Sequence, residues 1–228
     1  MILAWIALGL LAALVIAFGW WRFRYFHRDP TRVIPVGADP VCPADGRILY
    51  LDDIELHADA PDAYHRRVQA AFGVEGRWTV IATYLGIFDV HGVRAPIAGT
   101  VRLHHIEPIG DNASMGGSFV WAALRRPLPI GKRGYLHKNE FLGVEIAGDT
   151  RILLVLMADW WIDQIVPLVD DGARVERGQV IGKIQMGSQV DLWAPAGQLA
   201  PVRQVGERVS AGDTVIAALV PGKRERSA

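Results

Sequence analysis

A long apolar stretch at residues 2–21 is the feature that most limits how this chain folds. Its sequence, ILAWIALGLLAALVIAFGWW, contains no charged side chain. With about 1.5 Å of rise per residue, a helix of this length reaches roughly 30 Å, the hydrocarbon thickness of a bilayer. We therefore predict a transmembrane anchor over residues 1–24, followed by one domain over residues 25–228.

The residues after the apolar stretch predict how the anchor is oriented. Arginines follow at once, and aromatic side chains stand where the lipid headgroups would begin; the residues are Arg22, Arg24, Arg28 and Arg32, and Trp20, Trp21, Tyr25 and Phe26. Since basic flanks stay on the cytoplasmic side, we expect a single-pass protein of the cell (inner) membrane with a cytoplasmic domain. A cleaved signal peptide is disfavoured, because it would need a charged n-region and a small-x-small cleavage site. A buried core helix, the other alternative, would rarely be apolar on every side.

The remainder of the chain has the pattern of a β-rich domain. Gly and Pro recur at intervals of about 8 to 12 residues and separate short segments rich in Val and Ile. The clearest of these segments are 47–51, 78–85, 99–103, 142–146 and 151–157. This pattern predicts a mainly β fold of sandwich or barrel type with few short helices. Residues 55–76 differ, since their alanines, charges and loose helical period predict a surface helix or a mobile insertion.

Two segments near the C-terminus share a repeated pattern. Residues 171–184 (DGARVERGQVIGKI) and 206–219 (GERVSAGDTVIAAL) both contain Gly-x-x-Val-x-x-Gly followed closely by Val-Ile. The glycines permit a tight turn between two strands, and the β-branched residues pack inward. The pattern resembles the barrel-sandwich fold of biotinyl and lipoyl carrier domains. Those carriers present a modified lysine on a hairpin, whereas Lys183 lies within a strand-like run, so the likeness predicts architecture only.

Composition excludes several classes of protein. Lys plus Arg balance Asp plus Glu at 24 each, and this balance gives no basis for a nucleic-acid partner. The single cysteine, Cys42, excludes a disulfide framework within one chain and favours a reducing compartment. No metal is predicted, because His104 and His105 are adjacent on a strand and would point to opposite faces. Oligomeric state is left open, including a homo-oligomer.

The pair Gly187-Ser188 closes the first repeated segment and has two interpretations. A Gly-Ser pair at a strand end is commonly an ordinary turn. Alternatively, in a strained peptide the Ser188 hydroxyl attacks the Gly187 carbonyl, and the acyl group moves from nitrogen to oxygen. β-Elimination of that ester and loss of ammonia would leave a pyruvoyl group at residue 188. The products would be chains 1–187 and 188–228.

Four separated segments resemble the short, prokaryotic form of phosphatidylserine decarboxylase. They are FHRDP at 26–30, CPADG at 42–46, FDVHGVRAP at 88–96 and GKIQMGSQVDL at 182–192. The blocks occur in the family's order and at roughly its spacing, from the anchor to the C-terminal processing site. The Asp-Val-His and Gly-Ser blocks together are the most specific part of the match.

The resemblance implies a set of roles. Ser188 would become the covalent pyruvoyl cofactor and form a Schiff base with the amine of phosphatidylserine, so that the carboxylate leaves as carbon dioxide. The partners would be a membrane phospholipid and the protein's own two cleaved chains. Asp89 and His91 are the candidates for activating Ser188, and we expect both to face one side of an extended strand. Arg94, Asn112 and Asn139 are candidates for binding the substrate, with a surface arginine as the alternative for Arg94.

The sequence also departs from the family pattern. Met186 replaces a Phe, Phe141 replaces an Arg after Asn139-Glu140, and Asp111 stands in an apolar position. Residues 156–165 (LMADWWIDQI) occupy the place of a segment with paired arginines, which would suit an anionic headgroup. Two alternatives to phosphatidylserine decarboxylation therefore stay open. One is a non-catalytic, membrane-anchored barrel-sandwich scaffold, and the other is a self-processed lyase for another serine-headgroup lipid.

Overall fold

The computed structural model describes residues 2–25, 27–160, 165–184 and 188–220. It begins with helix α1 (Ile2–Trp20), which continues into a single π-helical turn (Trp21–Tyr25). None of the α1 side chains is buried against the rest of the protein. The predicted apolar helix is confirmed, and its length and composition suffice to cross a bilayer.

The rest of the described chain is mainly β, as predicted. Two further α-helices are present, α2 (Ala63–Phe72) and α3 (Gly116–Ala123), with 3-10 turns at Ile130–Lys132 and Gly134–His137. The strands are β1 (Gly46–Leu56), β2 (Gly76–Leu85), β3 (Gly92–Arg94), β4 (Gly99–Ile106), β5 (Phe141–Ala147), β6 (Arg151–Ala158), β7 (Ile165–Pro167), β8 (Arg174–Val175), β9 (Val180–Ile184), β10 (Ser188–Pro195), β11 (Leu199–Pro201), β12 (Arg208–Val209) and β13 (Ala217–Leu219). All five predicted segments lie inside observed strands, namely β1, β2, β4, β5 and β6.

Within the described residues, the strands form one large sheet and two small ones. The large sheet is antiparallel, has the order β12-β1-β2-β10-β6-β5-β4-β8 and curls into a half-barrel. A three-stranded sheet, β3-β9-β7, and the pair β11-β13 complete the fold. Strand β10 therefore lies near the middle of the large sheet, between β2 and β6.

The large sheet has a hydrophobic cluster on each face. Side chains alternate between faces along a strand, so Val190 and Leu192 of β10 join the cluster that also contains the small sheets. Trp193 points the other way and joins the cluster that is covered by α2 and α3. Because of this alternation, consecutive side chains of β10 pack into the two different clusters.

Helix α2 accounts for the unusual residues 55–76. Asp62 caps its start by accepting hydrogen bonds from the backbone N–H groups of Tyr64 and His65. Gly73 ends it in the left-handed conformation, with φ of 60°. The prediction of a helix is confirmed, but the helix is not loosely attached. Tyr64, together with Val68 and Phe72, is buried against the large sheet.

The two repeated segments have matching conformations at opposite edges of the large sheet. Strand β8 of the first pairs with β4, and β12 of the second pairs with β1. The second glycines of the two segments, Gly178 and Gly212, have φ of 83° and 78°. A Cβ at either position would collide with the side chain of Ile34. Ile34 thus packs against both repeats and fixes the segment that leads from the anchor.

Candidate active site

Ser188 begins strand β10 and is fully buried, with 0% of its surface exposed. Its register partners are Leu85 at the end of β2 and Ala158 at the end of β6. Within the part of the chain that the structure describes, the Ser188 hydroxyl has no hydrogen-bond partner. Burying an unsatisfied hydroxyl costs on the order of 1–3 kcal/mol, and such groups are rare in folded proteins. A role for Ser188 in the chemistry of the site would explain why an unsatisfied hydroxyl is kept buried at this position. Gly187, the other half of the predicted cleavage site, lies outside the described residues.

His91 lies beside the chain that leads to Ser188. The backbone N–H of Ile184, the last residue of β9, donates to the His91 carbonyl at 3.1 Å. Ser188 follows four residues later, so His91 is hydrogen-bonded through its backbone to the last residue described before Ser188. His91 is 3% exposed, and its pKa is lowered to about 4, mainly by this burial and also by the nearby Arg28 and His27. The ring is therefore neutral at neutral pH.

The tautomer of His91 follows from its contact with Asp89. The ring Nδ1 lies 2.9 Å from the Asp89 main-chain oxygen, which can only accept. Nδ1 therefore carries the hydrogen, and Nε2 is the basic nitrogen. A neutral imidazole held in this way is suited to take a proton from a hydroxyl.

Asp89 is not on an extended strand, and that prediction is wrong. The residues after Leu85 form a turn in which the Asp89 N–H donates to the Gly86 carbonyl at 2.9 Å. Its carboxylate accepts from the Gly86 N–H at 2.8 Å and from Arg208 at 2.5 Å. A tight turn brings the Asp89 carbonyl, rather than its carboxylate, to the His91 ring. Asp89 is thus placed to position the base through the backbone.

His91 also lines a small cavity of about 120 Å³. The other lining residues come from the segment after the anchor and from the three-stranded sheet; they are His27, Arg28, Gly92, Val166, Lys183 and Ile184. Sequence patterns did not point to Lys183 as a site residue, because its place beside His91 depends on the pairing of β9 with β3. The cavity therefore brings two residues that follow the predicted anchor next to His91.

The three residues predicted to bind substrate make contacts within the protein. Arg94 donates to the Gly178 carbonyl at 2.8 Å and to Asp29 at 2.5 Å. Asn139, which is 0% exposed, joins the backbone of Ala113 to the carbonyl of Ala158, the register partner of Ser188. Asn112 accepts from the Glu140 N–H at 2.8 Å. Of these contacts, the one from Asn139 to the Ala158 carbonyl is the one that reaches a register partner of Ser188.

The segment between the anchor and β1 is tied to the domain along its length. Arg28 donates to the Phe88 carbonyl at 2.7 Å, and Nη2 of Arg32 donates to both carboxylate oxygens of Asp45 at 2.9 Å. Arg177 donates to the carbonyls of Pro35 and Asp39. These contacts hold the end of the anchor close to the turn of Asp89.

The opposite face of β10 carries a buried polar network. Asp191 accepts from the hydroxyls of Tyr50 and Tyr64 at 2.8 and 2.7 Å, and from the Gln189 amide at 2.6 Å. Tyr135 in turn donates to Gln189. Burial raises the pKa of Asp191 to about 6. The network fixes β10 immediately after Ser188, and Tyr64 enters it from the α2 segment.

The end of the sheet that carries Ser188 is bordered by exposed apolar residues. We name this surface the apolar platform; it consists of Ile87, Phe88, Phe119, Val120 and Leu124, which are 41–64% exposed. A cavity of about 320 Å³ separates the turn of Ile87 and Phe88 from α3 and has Arg47 and Arg208 in its wall. Exposed apolar patches of this kind usually mark an interaction surface.

The divergent segment at 156–165 is described only in part. Asp159 accepts from the N–H groups of Met115 and Trp160, at 2.9 and 2.7 Å, and so closes the end of β6. Trp160 is 60% exposed. Trp161 and Asp163 lie outside the described residues. Among the residues with described positions, no group of three His, Cys, Asp or Glu side chains is placed to hold a metal.

The fold and site define a class of protein: a mainly β domain with an apolar N-terminal helix and a buried serine at the start of a central strand. A neutral histidine is hydrogen-bonded, through its backbone, to the last residue of the strand that precedes this serine. Comparison with known proteins agrees. A family model described as phosphatidylserine decarboxylase matches residues 21–217. The chain belongs to the phosphatidylserine decarboxylase family, and so to a family of decarboxylases.

Similar proteins match along most of their length. The phosphatidylserine decarboxylase proenzyme of Aromatoleum aromaticum is 33% identical over 94% of this chain and 92% of its own. The proenzyme of Symbiobacterium thermophilum is 33% identical, over 93% and 84% respectively. That of Nitratidesulfovibrio vulgaris is 32% identical, over 88% and 79%. The predicted family is confirmed, and the name proenzyme says that those relatives are made as precursors.

Proposed function

We propose that this protein is a membrane-bound phosphatidylserine decarboxylase that activates itself by cleaving its Gly187–Ser188 bond. Residues 1–24 form the anchor, and residues 25–228 form the cytoplasmic domain that is cleaved into chains 1–187 and 188–228. The observation that carries the proposal is the buried Ser188 hydroxyl, without a hydrogen-bond partner in the described structure, at the start of a central strand. The backbone carbonyl of His91, whose ring is neutral, accepts from the N–H of Ile184, four residues before Ser188.

The cleavage chemistry assigns each group a role. His91 Nε2 removes the proton of the Ser188 hydroxyl, whose oxygen attacks the Gly187 carbonyl carbon. The peptide C–N bond breaks as the C–O ester bond forms, and the freed amine takes up a proton. A base then removes the Cα proton of residue 188 as its Cβ–O bond breaks, which releases the Gly187 carboxylate and leaves a dehydroalanine. One water then adds to the imine form of that group, so that ammonia leaves and the ketone remains. The buried setting of Ser188 keeps water from competing with its hydroxyl.

The surroundings of Ser188 suit a pyruvoyl group. When formed, this group supplies a ketone that condenses with the substrate amine and accepts the electron pair as carbon dioxide leaves. Ser188 is held between β2 and β6, so a group at this position has fixed neighbours on both sides. His91, kept in one tautomer by the Asp89 carbonyl, is placed to hold or return a proton at Nε2.

A lipid substrate is supported by where the site lies. Arg28, which follows the anchor, lines the cavity with His91 and is bonded to the Phe88 carbonyl. Phe88 belongs to the apolar platform, so the anchor and the platform adjoin the same end of the sheet as Ser188. We infer that the platform rests on the cytoplasmic leaflet and that the headgroup of a membrane lipid reaches the site from there.

Release of carbon dioxide from phosphatidylserine labelled in its carboxyl group tests this function. The purified full chain is assayed in vesicles, with Ser188→Ala as the matched inactive variant. We expect labelled carbon dioxide and phosphatidylethanolamine from the wild type only. Release from another serine-headgroup lipid but not from phosphatidylserine would assign a different substrate, and no release from any of them would favour the scaffold alternative.

A further inference from the structure

The cavity beside His91 is positively charged, and two of its charged side chains, Lys183 and Arg28, take no part in the cleavage steps described above. Its described lining residues are basic or apolar and include no carboxylate. Lys183 projects from β9, which is fixed by its register with β3 and β7 through Gly92 and Val166. Among the ion pairs of the described residues, none involves Lys183.

Arg28 adds a second fixed charge to the same cavity. Its guanidinium donates to the carbonyls of Tyr25 and Phe88 at 2.8 and 2.7 Å and lies over the Tyr25 ring at 3.7 Å. Neutral carbonyls hold the group in place but do not neutralise it. The potential affects the nearby histidines: Lys183 lowers the pKa of His27, and Arg28 lowers that of His91, in each case beyond the effect of burial. The cavity therefore favours an anion.

We propose that Lys183 and Arg28 bind the phosphodiester of the lipid headgroup while the serine portion reaches residue 188. This inference rests on the proposed function and names the group that fills the cavity. The cavity of about 120 Å³ is too small for acyl chains, which belong in the bilayer beside the anchor. The cavity is also lined by Ile184, which precedes Ser188 by four residues. We therefore assign an anion in the cavity and an amine at residue 188 to the same small headgroup.

The phosphodiester is the better ligand than the carboxylate on energetic grounds. The carboxylate loses its charge as it leaves as carbon dioxide, so a cation bound tightly to it would stabilise the ground state more than the transition state. The phosphodiester keeps its charge throughout, and binding it lowers KM without opposing the reaction. The sequence lacks the paired arginines expected at 156–165, and Lys183 with Arg28 provides positive charge from other elements.

The first test separates KM from kcat. Lys183→Met keeps the apolar stem but removes the charge, Lys183→Arg keeps the charge, and Arg24→Gln removes an exposed arginine that does not line the cavity. We expect Lys183→Met to raise KM for vesicle phosphatidylserine on the order of tenfold with a smaller change in kcat. Lys183→Arg and Arg24→Gln should stay close to wild type. An unchanged KM in Lys183→Met, or an equal rise in Arg24→Gln, would overturn the proposal.

The second test measures binding without turnover. Full-length Ser188→Ala in phosphatidylcholine nanodiscs is titrated with glycerophosphoserine, inorganic phosphate or free serine, with and without Lys183→Met. Glycerophosphoserine should bind, phosphate should compete with it more weakly, and serine should not compete. Loss of glycerophosphoserine binding in the double variant supports the phosphodiester site, and equal binding by both proteins contradicts it. Failure of the proposed function would appear separately, as an unsplit wild-type chain.

Discussion

The Nδ1 atom of His91 lies 2.9 Å from the main-chain oxygen of Asp89. Asp89 thus contacts the His91 ring through its backbone, and its carboxylate accepts from the Gly86 N–H and from Arg208 instead. A main-chain carbonyl fixes the imidazole tautomer without adding a charge beside it. We therefore expect the side chains of His91 and Asp89 to contribute unequally to the rate of cleavage.

Replacing His91 should impair cleavage far more than replacing Asp89. His91→Gln removes the base and should slow chain splitting on the order of 10²- to 10⁴-fold. Asp89→Asn keeps the backbone carbonyl and an oxygen for the Gly86 N–H, so we expect a loss of about tenfold or less. The rate is read from newly synthesised protein by gel electrophoresis, with exposed His105→Gln as the control. Equal losses in His91→Gln and Asp89→Asn would show that the carboxylate, not the carbonyl, is needed.

The low pKa of His91 predicts how cleavage depends on pH. With a pKa of about 4, the ring is neutral from about pH 6 to about pH 8, and the rate should change little there. The rate should fall as the pH approaches 4, because a protonated imidazole cannot take the hydroxyl proton. Rates measured across this range check the prediction, and a midpoint near 6.5 would contradict it.

The lowered pKa of His91 also makes the free energy of unfolding depend on pH. Folding lowers the pKa of His91 from 6.5, so the unfolded chain binds more protons between about pH 4 and about pH 6.5. The stability associated with neutral His91 is complete above that window and is lost as the pH falls through it.

Asp191 should make the free energy of unfolding depend on pH in the opposite direction. Its pKa is raised from 3.8 to about 6 by burial, so the folded chain binds more protons in that window. Its favourable contribution is present at low pH and declines as the pH rises through about 6.

Asp191→Asn should abolish this dependence of the free energy of unfolding on pH. Because Tyr50 and Tyr64 lose an acceptor, it should also lower the free energy of unfolding by about 1–3 kcal/mol. Denaturation in detergent at several pH values measures both effects. Tyr64→Phe should retain the slope at a smaller cost, and a slope unchanged in Asp191→Asn would refute the assignment.

Much of the fold was predictable because it is encoded locally. Gly and Pro spacing located five of the thirteen described strands, and an apolar run located α1. The site was harder, since its contacts join distant residues. Tyr64 and Asp191 are 127 positions apart, and nothing in the α2 segment indicates that its tyrosine completes a network on β10. The turn that redirects the Asp89 carboxylate was missed because an Asp-Val-His run also fits an extended strand.

The apolar platform should matter for turnover at a membrane but not for cleavage. Phe119→Asp places a charge on the exposed face of α3 and should raise KM for vesicle lipid on the order of tenfold, because a charge disfavours insertion at the interface. Ala147→Asp, at the opposite end of the sheet, is the matched control and should have no effect. Turnover of a short-chain phosphatidylserine below its micelle concentration should be unaffected in both variants. A similar loss on the soluble lipid would mean that Phe119 supports the fold and not membrane contact.

Intact mass spectrometry of the purified full-length protein tests the central claim most directly. We predict two chains, residues 1–187 and residues 188–228, with a pyruvoyl group in place of Ser188 at the start of the second. The Ser188→Ala variant should remain a single chain. A wild-type protein of undivided mass, or a second chain that begins with an unmodified serine, would contradict the account.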